Sequence, residues 1–447
     1  MKSILFIQPY LGPEMSLVVP LGIGYLGKYL IDKKIPVDIL DLNLYSNPWE
    51  KLKYKLSNSS YGFISISLRN IDSLIRDSYE NYYQLFRYLM DIIAKYKSGE
   101  TIIIGGAGFS IFPIEIMSEF EIIDYGIISE DCETLYNLIN NNSNKESLQG
   151  IVYRDNNKIV INPLNSEYDL SKLPDDPWSI LPMSRYVNSN FAVGVISKLG
   201  CESNCAYCTY PHISGRHIRK RSFIEVVDDI ELLINKYQAK TIYLIDSVFN
   251  YPYEHAEKIC LEILHRKLRI QWSTAWDLSF FDENLLNLAY ASGCSTFSFS
   301  PDGFTNSTMR KMGKRCTVTH LNDNLRLFKK YPKIPVSYNF FMNPIGVKNI
   351  EYFRLYAYYR KIKRMKNASI NIWLMRILPY TPLYSVALKK GYIDKNTPLL
   401  LSSNEINPDR LFWLYFDNRL SKRVHNVIYL HFKNKDSKDY LSSKKYE

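Results

Sequence analysis

The sequence predicts an α/β protein of two successive units: a doubly wound, Rossmann-like parallel sheet, then a partial (β/α)6 barrel, with a small helical appendage at the C-terminus. Three observations carry this. Short apolar runs alternate with longer amphipathic ones as far as about residue 140, the alternation restarts at Phe191 after a proline-bearing gap, and 447 residues are too many for one ordinary core.

The elements follow in order. Ser3–Gln8 reads as the first strand, Gly22–Ile31 as a helix, Val37–Leu40 as the second strand and Tyr61–Ser67 as the third. Thr101–Ile104 is the fourth and runs directly into Gly105-Gly106-Ala107-Gly108; Asp124–Ser129 completes the first unit, residues 1–148. In 149–190 the pattern weakens, and Pro174, Pro177 and Pro182 mark a linker. In 191–396 the strand candidates are Ala192–Ser197, Thr241–Ile245, Ile270–Thr274, Ser295–Phe299, Val336–Phe340 and Ile370–Leu374. Between the first two lies the clearest helix, Ser222–Tyr237, where Ser222 and Glu225 form a capping box ahead of one apolar stripe. Trp272, Trp276 and Trp373 are expected in the core. Residues 397–447 read as a polar, helical appendage.

With 46% hydrophobic and 14% aromatic residues the chain can bury a large core, which excludes general disorder. Lysine and arginine exceed the acids by 56 to 45, but the excess is dispersed, so nucleic acid is not an expected partner. No stretch reaches the roughly 18 apolar residues of a membrane span, and a cytoplasmic protein is expected. Three of seven cysteines cluster, which suits a reducing compartment and a metal site; Cys132, Cys260, Cys294 and Cys316 are scattered and receive no role.

Cys201-Glu-Ser-Asn-Cys205-Ala-Tyr-Cys208 follows the first strand of the second unit, on a loop at the carboxyl-terminal mouth of the barrel, where such folds place chemistry. Three thiolates can hold three irons of a 4Fe-4S cube and leave the fourth without a protein ligand. His212 is near enough to complete a Cys3His zinc site, which is the competing reading.

The Cys-x3-Cys-x2-Cys spacing, with Tyr207 before the last cysteine, resembles the signature of the radical SAM superfamily. Cys208-Thr-Tyr-Pro211, Gly215 and the basic run to Arg221 resemble the subgroup with an N-terminal cobalamin-binding domain, as do Leu244-Ile-Asp246-Ser-Val-Phe-Asn250 and Ser298-Phe-Ser300-Pro-Asp302-Gly303 with Met309 to Lys314. Leu378-Pro379-Tyr-Thr381-Pro382-Leu383-Tyr384 and Gly391 resemble that subgroup's tail after the sixth strand. The resemblance implies a 4Fe-4S cluster on the three cysteines and S-adenosylmethionine cleaved to a 5′-deoxyadenosyl radical. Tyr207, Asp246, Ser247, Asn250, Ser300 and Asp302 are the expected S-adenosylmethionine contacts. Ser300-Pro301-Asp302 replaces the family's Glu-Ser-Gly, with Asp302 as the substitute acid. Asp246, Ser247 and Asn250 could equally cap the following helix.

In the first unit, Leu21 and Gly22 at the opening of the first helix, Ser67, Arg69 and Asn70, the turn Gly105, Gly106, Ala107 and Gly108, and Ser129 with Glu130 resemble the cobalamin-binding segments of that subgroup. The glycine turn read alone is as well explained by a tight bend. An Asp-x-His-x-x-Gly motif for a histidine ligand to cobalt is absent, and Ser129-Glu130-Asp131-Cys132-Glu133 replaces the commoner Gly-Glu-Gly-Glu. Arg219 and Arg221 either meet substrate, a carboxylate or the cobalamin phosphate, or form a solvated basic turn. The implied activity is methylation of an unactivated carbon in a biosynthetic substrate, with electrons from an external donor such as flavodoxin or ferredoxin. Radical rearrangement, ring formation or oxidation without methyl transfer, and a non-catalytic iron-sulfur or zinc protein, are the alternatives.

Overall fold

The computed structural model describes residues 3–443 other than 14, 16, 129, 141–143, 165–167, 188–191, 404–406 and 417, and describes 433–443 as backbone only. Phe191 and Ser129, both used in the reading above, lie outside the described residues.

The first sheet has seven strands: β1 (Ile4–Gln8), β2 (Val37–Asp41), β3 (Phe63–Ser67), β4 (Thr101–Gly105), β5 (Tyr125–Ile127), β6 (Ile151–Asp155) and β7 (Lys158–Ile161). Their order is β2-β1-β3-β4-β5-β6-β7, parallel as far as β5. All of β1 is buried, because helices cover both faces of a parallel sheet, and this is why it reads as an unbroken apolar run. The order reverses between β1 and β3, so the carboxyl ends of these two strands open onto the crevice where doubly wound sheets take ligands.

The linker begins later than the sequence suggests. Within 149–190, β6 pairs antiparallel with β5, and β7 with β6, extending the first sheet. Both strands are short, and their partner is fixed only by the position of β5. Trp178, further along, is fully buried.

The second unit begins with β8 (Val193–Val195), followed by a small antiparallel pair, β9 (Lys198–Leu199) and β10 (Arg219–Lys220). Then come β11 (Thr241–Leu244), β12 (Gln271–Trp276), β13 (Cys294–Asp302), β14 (Val336–Phe341) and β15 (Ala368–Trp373). Six of these form one parallel sheet in the order β15-β14-β13-β12-β11-β8, the expected open barrel. The helix Phe223–Asn235 is capped by Ser222, which accepts from the Ile224 N–H rather than from that of Glu225. Trp272 and Trp276 are buried as expected. Trp373 is not: it is 40% exposed, because β15 is the last strand of the sheet and has no neighbour beyond it.

The C-terminal segment is more than a polar appendage. Leu399, Leu401, Leu411, Phe412 and Trp413 are buried, and Phe412 bridges to Arg376. This strap also grips the first unit. Arg76 donates to both carboxylate oxygens of Asp409 at 2.7 and 2.9 Å, and Asn81 donates to the Leu401 carbonyl at 3.0 Å. The appendage proper is the helix Arg419–Ser443, docked through Phe432 against Tyr359 at 4.6 Å between ring centroids. No helix among the described residues is long and apolar enough to cross a membrane.

Candidate functional site

The cysteine loop leaves the barrel through a tight bend. Gly200 has φ +88°, and a Cβ there would lie 1.9 Å from the His217 carbonyl oxygen of the returning chain, so only glycine allows β9 and β10 to close. The loop is then pinned by distant segments. Cys201 N–H donates to the Gly215 carbonyl at 3.0 Å, Ala206 N–H to that of Met312 at 2.9 Å, and Leu383 N–H to that of Ala206 at 2.7 Å. The cysteines therefore sit where the ends of β8, β13 and β15 converge.

All three thiols are free and half-buried. Burial raises the Cys205 thiol, against the lowering influence of the Lys314 ammonium. Burial likewise pushes Cys208 up to about 11, although the Tyr210 N–H, 3.4 Å from its sulfur, works in the other direction. Soft sulfur donors on one short loop suit iron-sulfur ligation. Among the described residues no three His, Cys, Asp or Glu side chains converge on a point that one ion could occupy, as a closed zinc site requires. His212 is engaged elsewhere. Its ring stacks on Tyr380 at 3.8 Å, and its Nε2 lies 3.2 Å from the Ser110 carbonyl of the first unit.

Beside the loop lies a buried charge network. Asp302, at the end of β13 with φ +61°, accepts from Tyr207 Oη at 2.8 Å and pairs with Lys314 Nζ at 2.9 Å. Burial raises the Asp302 carboxyl, opposed by Lys314. Both contacts fall on the same oxygen, Oδ2. Ser300 is half-buried, and its Oγ accepts from Asn339 Nδ2 at 3.3 Å.

The β11 end divides by role. Asp246 is buried and ion-paired to Lys198 Nζ at 2.7 Å, and it accepts from Ser197 Oγ at 2.5 Å and from the Ser197 and Lys198 N–H groups. Asn250 donates to the Asp277 and Phe280 carbonyls, both at 2.8 Å, and accepts from Asp277 N–H at 2.8 Å. With every polar atom committed, these two shape the mouth of the barrel from beneath and do not present a free group to a ligand. Ser247 differs: it lines a small recess with Cys201, Val248, Tyr251, Asp277 and Arg315, and among the described residues its hydroxyl reaches only the Gly200 carbonyl, at 3.2 Å.

In the first unit, Ser67 pairs in register with Gly105 at the carboxyl ends of β3 and β4. Gly106 has φ +94°, and a Cβ there would lie 2.6 Å from the Leu68 carbonyl oxygen, so the glycine turn is required by packing on Leu68. Ala107 and Gly108 continue into a short helix, with the Gly108 N–H bonded to Leu68 O at 2.8 Å. Leu21 is buried, 3.8 Å from the position a Cβ on Gly194 of β8 would take, whereas a Cβ on Gly22 would meet nothing within 4 Å. Ser67, Arg69 and Asn70 carry polar side chains that bond no other side chain or backbone group among the described residues, and enclosure lowers the Arg69 guanidinium. An amide- and phosphate-bearing ligand at this crevice would find donors ready there.

Glu130 is committed to the other unit. It accepts from Ser214 Oγ at 2.5 Å and from Arg219 at 3.3 Å, and burial raises its carboxyl. Arg221 pairs with Asp229 at 2.6 Å and with the Ile196 carbonyl at 3.1 Å. Neither arginine is a solvated turn residue, and each keeps a buried Nε–H without a hydrogen-bond partner. The sequence reading passed over Lys198 and Lys314, since nothing in a lysine's neighbours along the chain announces that it will be buried opposite an aspartate.

Residues 195–354 match the family model of the radical SAM superfamily. The chain is 25% identical over 235 residues to an uncharacterised methyltransferase of Pyrococcus horikoshii, covering 52% of this chain and 51% of that protein. It is 23% identical over 345 residues to the cytidylyl-2-hydroxyethylphosphonate methyltransferase of Streptomyces wedmorensis, covering 66% and 63%. The chain thus spans between about half and two thirds of the length of these relatives. Among solved structures it superposes on the radical S-adenosylmethionine methyltransferase TsrM of Kitasatospora setae, solved with cobalamin and a [4Fe-4S] cluster, with a TM-score of 0.76 at 19% identity, covering 91% of this chain and 83% of that one. It superposes on the cobalamin-dependent S-adenosylmethionine radical enzyme OxsB with a TM-score of 0.73 at 15% identity, covering 96% and 66%. Residues 195–354 are accordingly similar to the radical SAM domain, and the chain shares the fold of these two solved structures.

Proposed function

We propose that the chain is a cobalamin-dependent radical S-adenosylmethionine methyltransferase acting on an unactivated carbon of a biosynthetic substrate. The observation that carries it is the placement of Cys201, Cys205 and Cys208 on one pinned loop at the barrel mouth, with His212 just beyond it 3.2 Å from the Ser110 carbonyl in the short helix that follows the glycine turn of the first sheet. The three thiolates would hold a 4Fe-4S cluster. Ser247, Tyr207 and Ser300 line the approach to S-adenosylmethionine, while Asp246, Asn250 and Asp302 fix the backbone around it. Ser67, Arg69 and Asn70, with the 105–108 turn, would face cobalamin, and Glu130 locks the first unit to the cysteine loop. When bound, these cofactors supply the radical and the methyl group; the protein positions them and excludes water. An external one-electron donor such as flavodoxin or ferredoxin is required, and seven free cysteines suit the reducing cytoplasm.

The test is anaerobic reconstitution with iron, sulfide and cobalamin, followed by addition of reductant and S-adenosylmethionine. 5′-Deoxyadenosine should form, disappear in the Cys201→Ala, Cys205→Ala, Cys208→Ala variant, and be accompanied by retained cobalamin. Deoxyadenosine without cobalamin binding would remove the methyltransferase reading, and none at all from a loaded protein would remove the radical one.

A further inference from the structure

A well-formed recess lies outside the barrel mouth. It is a cavity of about 550 Å³, formed where the loop after β14, the helix Pro382–Lys389 and the C-terminal strap meet. This is the size range of small-molecule sites. Its walls are of two kinds. Trp413 and Tyr415, stacked at 5.3 Å, give it an aromatic side, with Trp413 only 3% exposed. Lys311, Lys348 and Lys390 bring three ammonium groups, and no acidic side chain among the described residues lines it.

The polar lining is ordered before any ligand arrives. Asn343 is buried, donates to the Tyr415 carbonyl at 3.1 Å and accepts from Tyr352 Oη at 3.0 Å, fixing the strap to the β14 loop. Lys311 Nζ is held at the Gly346 carbonyl at 3.3 Å. Asn349 contributes a buried Oδ1 with no hydrogen-bond partner, an acceptor that lacks a donor. Unpaired buried acceptors are costly and few in native folds.

We infer that this cavity is a binding site for a phosphorylated aromatic-ring ligand of the nucleotide class. The ring lies against Trp413 and Tyr415, the phosphates among the three lysines, and a ring N–H or sugar hydroxyl satisfies Asn349. The site is separate from the cluster loop. Met312 stands between them, accepting the Ala206 N–H through its carbonyl and the Ile345 N–H, at 3.5 Å, through its sulfur. A concave, floored cavity favours a small ligand over the flat face of an acidic protein.

The test is isothermal titration of the full-length protein, without cluster, with ATP, CTP and inorganic tripolyphosphate in parallel. At least one nucleotide should bind saturably and at least tenfold more tightly than tripolyphosphate. Lys348→Glu and Lys311→Glu, at exposed positions, should each weaken nucleotide binding about tenfold without changing the melting temperature of the free protein. Nucleotide binding unaltered in both variants, equal binding of tripolyphosphate, or no saturable binding would overturn the assignment. Salt-sensitive capture of an acidic protein in place of any nucleotide would also overturn it.

Discussion

The Tyr207 hydroxyl donates to the Asp302 carboxylate at 2.8 Å, tying the cysteine loop to the end of β13, and Lys314 closes the network from the following helix turn at 2.9 Å. Removing the acid would leave the Lys314 ammonium buried without a counter-charge. Asp302→Ala should therefore cost about 3–5 kcal/mol in urea unfolding. Tyr207→Phe, which loses one hydrogen bond, should cost about 1–2 kcal/mol. Equal stability of Asp302→Ala and wild type would show that the pair carries no weight.

Asp246 and Ser247 are neighbours in sequence with opposite expected phenotypes. Asp246→Ala uncouples the buried Lys198 pair and should destabilise the protein by about 3–5 kcal/mol. Ser247→Ala should stay within about 0.5 kcal/mol of wild-type stability and instead weaken S-adenosylmethionine retention by the reconstituted protein, read by equilibrium dialysis. Unchanged retention would take Ser247 out of the site.

His212 discriminates between metals. Stacked on Tyr380 and turned to the Ser110 carbonyl, it should be dispensable for metal loading. His212→Asn is expected to bind wild-type amounts of iron and sulfide. A fall to metal-free protein would revive the zinc reading.

His255 should make stability fall in acid. It is 8% exposed, and burial together with the Lys198 ammonium lowers it to about 4 from the ordinary 6.5. The folded chain thus keeps the imidazole neutral where the unfolded chain already takes up a proton. Its contribution is fully present above about pH 6.5 and is lost as the pH falls through about 4, amounting to at most about 3 kcal/mol. Denaturant midpoints at pH 7.5 and 5.0 should differ in the wild type and converge in His255→Phe. An unchanged pH dependence in the variant would place the effect elsewhere.

The strands were legible because a parallel sheet covered on both faces needs unbroken apolar runs, as in Ile4–Ile7 and Ile102–Ile104, while a barrel strand such as Val336–Phe341 shows itself by alternating buried and half-buried positions. The cysteine triad was legible because its ligands lie on one loop, so spacing along the chain stands in for geometry. The destiny of β6 and β7 was not. Two short strands carry no signal for which sheet they join, and pairing with β5 decided it. Asp246, Asn250, Asp302 and Glu130 were recognisable as special residues, but only the fold showed that their oxygens are already bonded to Lys198, Asp277, Lys314 and Ser214. The sequence by itself determined the two α/β units and the cysteine loop, which depend on local periodicity and local spacing. Tertiary structure alone decided which polar atoms remain free for a ligand, because a buried polar group takes the partner that is near in space, however distant along the chain.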